Sequence, residues 1–138
     1  MIRESKVSDY NVLKQLSIET HIIFNDFHVS KTFVFEDKHK IKGFISLSNN
    51  NHIVALAVNP LYQNQRIASK LLCYIRRNKT TLFLRIFSQN CKSLRFYQKH
   101  GFKMVSENFD ETLNQSVLLL AWAQGCFAKH VKFRKGES

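Results

Sequence analysis

A strand, a proline, a polar turn and a helix follow one another over residues 53–75, and no other stretch constrains this chain as much. Residues 53–58 are apolar throughout and read as a buried strand. Pro60 ends it. Gln63, Asn64, Gln65 and Arg66 make a polar turn. Ile67, Leu71, Leu72 and Ile75 then recur at helical spacing along one face. The first backbone N–H groups of a helix have no partner inside it and lie at the positive end of its dipole. A strand that turns into such a helix therefore builds a site for an anion such as a pyrophosphate.

The rest of the composition narrows the partners. The chain has 138 residues, 44% of them hydrophobic, which suits one domain with its own core. No apolar run approaches the ~20 residues a membrane helix needs, and no signal-peptide pattern follows Met1, so a cytoplasmic protein with no membrane partner is expected. Cys73, Cys91 and Cys126 are odd in number and widely spaced. They form neither a disulfide framework nor a zinc pattern, so no metal is expected. The net charge of +11 favours anionic partners, whether a nucleotide, a nucleic acid or an acidic protein, or else provides a basic solubility surface.

Two stretches carry a family resemblance. Val58, Pro60, Tyr62, Gln63, Ala68, Leu71 and Leu72 stand in the register of V-x-P-x-[YF]-[RQ]-x-x-G-x-[GA]-x-x-L-[LM]. Asn90, Ser93, Phe96, Tyr97, Lys99, Gly101 and Phe102 fit N-x-x-[AS]-x-x-F-Y-x-K-x-G-F. Both segments resemble the GNAT superfamily of N-acetyltransferases. Arg66 stands where the first pattern has glycine, which would allow φ > 0 and close backbone approach.

The resemblance implies acetyl-CoA as co-substrate and a primary amine as acceptor. It implies a cofactor site of Ala57, Val58, Gln63, Asn64, Gln65, Arg66, Ile67, Ala68, Ser69, Asn90, Ser93 and Phe96, with the N–H groups from about Gln63 to Ala68 on the pyrophosphate. Asn90 would bond the pantetheine arm or cap its helix. Tyr97 would be the general acid, since a phenol of pKa ≈ 10 suits donation to a departing thiolate. Its alternative is a half-buried core tyrosine. Many members carry a glutamate on the strand before the pyrophosphate turn; counting back from Gln63, that place is His52. A histidine there could relay a proton near neutral pH or simply be a surface residue.

The other elements follow in order. A short strand at 1–3 precedes a helix over 8–21, with Ser8 as its cap and Asp9 in its first turn. Phe24, Phe27 and His28 are the residues of 22–30 that could face an acceptor. Strands at 31–36 and 41–47 form a hairpin, and Gly43-Phe44 fits the G-[FY] of the family's third strand. The strand 80–87 is apolar on both faces and reads as central. Gly101 ends the second motif helix, and strands from 102 and over 117–122 close the domain. The expected architecture is α/β and GNAT-like (the acyl-CoA N-acyltransferase fold): a mixed, mostly antiparallel sheet with helices on both faces, split between the strands 53–58 and 80–87. The domain spans 1–122, and 123–138 forms a basic C-terminal tail. The rival to an acetyltransferase is a GNAT-fold binding module of weak catalytic power that uses its basic surface on RNA or a partner protein. Monomer and homodimer both remain open.

Overall fold

Period-two burial builds the sheets. In the strand Thr81–Phe87, Leu82, Leu84 and Ile86 are wholly buried while the residues between them are half-buried. The computed structural model describes residues 1–16 and 29–124. The order is β1 (Ile2–Glu4), a 3₁₀ turn (Val7–Asp9), α1 (Tyr10–Leu16), β2 (Val29–Asp37), β3 (Lys40–Ser48), β4 (Ile53–Val58), a 3₁₀ turn (Pro60–Tyr62), α2 (Ile67–Arg76), β5 (Thr81–Phe87), α3 (Cys91–Lys99), β6 (Lys103–Asp110) and β7 (Gln115–Ala123).

The strands form two antiparallel sheets, ordered β1-β2-β3-β4 and β5-β7-β6. Among the described residues their backbones pair through one parallel bridge, His52 to Phe83, supported by the Phe83 N–H on the Asn51 carbonyl at 3.0 Å. Beyond that bridge β4 and β5 part, as the split sheet of the sequence reading requires. Strand β5 is thus an edge of its own sheet, whose middle strand is β7, and not the central strand expected from its two apolar faces. One edge pairs with β7 and the other meets β4 only at the bridge, its faces being covered by the shared core.

Helices cover both faces. Leu16 of α1 packs with Val34, Phe44 and Ala57 on one side of the first sheet. On the other side Ile67, Leu71, Leu72 and Ile75 of α2 and Tyr97 of α3 join Ile45, Leu47, Ile53 and Leu56 with the buried face of the second sheet. Gly43 makes the α2 contact possible. A Cβ there would stand 2.9 Å from the Ala57 carbonyl oxygen and 3.2 Å from Ile67 Cγ2.

The first helix departs from expectation. The Asp9 carboxylate, not Ser8, closes its start, accepting the Lys6 N–H at 2.7 Å. Asp9 is held in turn by Arg3, at 2.9 Å, and Arg3 also pairs with Glu36 at 2.8 Å. The expected end of that helix, the acceptor candidates Phe24, Phe27 and His28, and nearly all of the tail 123–138 lie outside the described residues.

Candidate active site

Where β4 and β5 part, a cleft of about 540 Å³ opens. The end of β4, the turn and the first residues of α2 form one wall, and α3 the other. Ala57, Val58, Gln63, Asn64, Arg66, Ile67, Ala68, Ser69, Ser93 and Phe96 line it, ten of the twelve cofactor candidates.

The turn explains why it can hold an anion. Asn64 and Arg66 are both left-handed, with φ 69° and 62°. Arg66 thus adopts the conformation for which glycine is favoured at this place. No side chain caps α2. The first helical bond runs from Lys70 N–H to the Arg66 carbonyl at 3.0 Å, so the N–H groups of Ile67, Ala68 and Ser69 precede it. A left-handed residue leading into a helix also turns successive N–H groups into one concavity.

The electrostatics agree. No Asp or Glu stands between Asp37 and Glu107, an interval that holds thirteen of the 21 Lys and Arg. The cleft lining itself carries two cations and no Asp or Glu. Arg66 and Lys92 are exposed at its two walls.

Four candidates lie elsewhere. Gln65 is exposed in the turn and outside the lining. Asn90 caps α3, its side-chain oxygen accepting the Ser93 N–H at 3.2 Å. Tyr97 is completely buried beneath the lining residue Phe96, ring centroids 5.0 Å apart. Burial pushes its phenol far above the ordinary range. His52 is half-buried at the bridge, its ring 5.5 Å from Phe83. Burial, and then the nearby Arg85, lower its pKa below the usual 6.5.

Three lining residues were missing from the sequence-derived set: Leu56, Tyr62 and Lys92. Each had a signal. Leu56 precedes Val58 by two and so shares its strand face, and Lys92 precedes Phe96 by one helical turn. Tyr62 stands in the first motif itself and carries Lys42 Nζ 4.6 Å above its ring.

The profile of the acetyltransferase (GNAT) domain family matches residues 10–113. The chain belongs to the GNAT family. Among curated proteins it is similar to the peptidyl-lysine N-acetyltransferase YiaC of Escherichia coli (strain K12), 24% identical over 93 residues. That match spans 67% of this chain and 64% of YiaC. Among solved structures, the ribosomal-protein-S18-alanine N-acetyltransferase of Escherichia coli superposes with a TM-score of 0.70 at 16% identity, over 89% of this chain and 92% of that one. An acetyltransferase of Bacillus anthracis in complex with acetyl coenzyme A gives 0.72 at 14% identity, over 91% and 98%. These likenesses make the α/β GNAT fold secure.

Among the described residues no group of His, Cys, Asp or Glu could hold a metal ion, and no helix is long and apolar enough to cross a membrane.

Proposed function

We propose that this GNAT protein transfers an acetyl group from acetyl-CoA to a primary amine of a protein or small molecule. The observation that carries the reading is the uncapped, acid-free start of α2 opening into the cleft. The residues fit the cofactor: free N–H groups and Arg66 for its phosphates, and Val58, Ala68 and Phe96 as apolar walls for its arm. Acetyl-CoA supplies the activated thioester.

The chain supplies position and proton transfer. Holding the reactants together is worth several kcal/mol. Tyr97 is the proposed acid. The role rests on its place in the second motif and on its contact with the lining residue Phe96; burial keeps the phenol protonated but also makes it a weaker donor than a free tyrosine. His52 is the proposed base. Its lowered pKa leaves the ring neutral at pH 7, and it stands at the bridge at the start of β4, the strand whose far end lines the cleft. If His52 is the base, activity requires its neutral form, so the acid limb of the rate profile falls below pH 6.5. A cytoplasmic site of action fits the cofactor and the exposed free thiols of Cys73 and Cys91.

Calorimetric and thermal titration with acetyl-CoA tests the reading. Ligand at 100 times its dissociation constant should add about 2.7 kcal/mol of stability. No binding at millimolar concentration removes the acetyltransferase. The acid-free interval favours one second reading, a GNAT-fold module of weak activity that binds RNA or an acidic protein. It requires affinity for RNA or that protein that falls steeply with salt in a chain that does not turn over amines.

A further inference from the structure

Ser69 and His100 join the two helices that wall the cleft. Ser69 is the third residue of α2 and lines the cleft; its Oγ lies 2.9 Å from His100 Nε2. His100 caps the C-terminus of α3, and its ring stands edge-on to Phe96 with centroids 4.5 Å apart. The backbone of His100 is fixed from two sides. Its N–H reaches the Phe96 and Tyr97 carbonyls, and its own carbonyl accepts from the Arg76 guanidinium of α2. The imidazole is thus a strut whose free end meets a cleft hydroxyl.

A serine hydroxyl has one hydrogen to donate. With Nε2 bare, Ser69 gives that hydrogen to the ring. With Nε2 protonated, the ring donates to Oγ, and the serine hydrogen can turn to an anion beside the first turn of α2. We propose that His100 is a positioning residue of the acetyl-CoA site, coupling phosphate binding to protonation of its Nε2 through the Ser69 hydroxyl. The proposal rests on the acetyl-CoA reading and adds a proton to it.

The surroundings set the direction. Burial first, and then Arg76 of α2 and Lys99 of α3, hold the imidazole below its ordinary 6.5. No carboxylate stands on α2 or α3 to offset those cations. The free protein therefore keeps the ring neutral at pH 7, and the coupling requires the tautomer with its proton on Nδ1, which leaves Nε2 to accept from Ser69. A ligand that binds the protonated form more tightly must raise the pKa. The gain in affinity is complete below the pKa of the free protein and is lost as pH rises through the pKa of the complex. The window opens below pH 6.5.

NMR titration of His100 in the full chain, with and without saturating CoA, measures the coupling. An upward shift of about one unit is expected, which corresponds to about tenfold tighter binding at the acid end of the window than at the alkaline end. Calorimetry from pH 5 to 8 checks it independently. Ser69→Ala removes a hydroxyl from the site and should weaken CoA, and at saturating CoA it should abolish the shift. His100→Gln keeps an amide donor toward Ser69 and should leave only the pH dependence of the CoA phosphates. An unshifted His100 in the wild type, or one pH profile shared by all three proteins, overturns the coupling and leaves the cofactor site intact. Failure of the wild type to bind CoA at any pH overturns the acetyl-CoA reading and the coupling together.

Discussion

The two helices that wall the cleft begin in opposite ways. Helix α3 starts with Asn90 bonded to the Ser93 N–H and ends in a complete glycine stop. Phe102 N–H reaches the Tyr97 carbonyl, Gly101 N–H reaches Gln98, and the rings of Tyr97 and Phe102 pack 5.4 Å apart. Helix α2 starts on a left-handed arginine with no cap. One helix closes its own backbone; the other leaves donors open at the cleft. A capped start is worth about 1 kcal/mol, so α2 forgoes stability where a ligand would supply the missing partners.

The largest break of that contrast is functional. Tyr97→Phe leaves the packed end of α3 in place and removes one hydroxyl. If Tyr97 is the acid, turnover falls ~10–10³-fold with CoA affinity unchanged. An unchanged rate with lower stability makes it a core residue. Next, Gly43→Ala should cost about 1–3 kcal/mol in chemical denaturation, because the added Cβ meets the Ala57 backbone and the first residue of α2. It should weaken CoA as well, since the open helix start is displaced. Asn90→Ala should cost about 1 kcal/mol and speed amide exchange at Ser93 without altering CoA binding. If CoA binding falls too, Asn90 reaches the ligand and the two helix starts are more alike than they look. The smallest effect sharpens the contrast. Arg66→Gly relieves a left-handed side chain, about 1–2 kcal/mol, against about 0.5–1 for the freedom of glycine in the unfolded chain. A net gain of about 0.5–1 kcal/mol in apoprotein stability should result.

Which parts of this contrast the sequence disclosed follows from how local their causes are. Alternation and helical spacing located the strands of the described residues and both motif helices, because burial of one face writes itself into neighbouring residues. The Gly101 stop was legible for the same reason. The left-handed state of Arg66 was not, since arginine gives no sign of a strained backbone and the rest of the turn imposes it. The depth of Tyr97 depends on how α3 lies on the second sheet, which no short window contains. Ser69 and His100 are 31 residues apart and meet only through the packing of two helices. His52 was found by counting, yet the bridge that lets β4 and β5 part just beyond it is a property of two strands. The acid-free interval was open to view throughout; it gains meaning only once Arg66 and Lys92 meet across one cleft.

Backbone pairing in this molecule is contiguous in sequence within each sheet. Strands β1–β4 come from residues 2–58 and β5–β7 from 81–123, and among the described residues a lone bridge connects them. Contacts between near neighbours form early, and distant ones wait on loop closure. The junction that makes the cleft is thus expected to assemble after the folding barrier. A ligand seated there stabilises contacts absent from the transition state, so it should slow unfolding and leave the folding rate alone. A chevron recorded with saturating acetyl-CoA would then move only its unfolding limb, and the cofactor would act as a kinetic latch on a protein that has already folded without it.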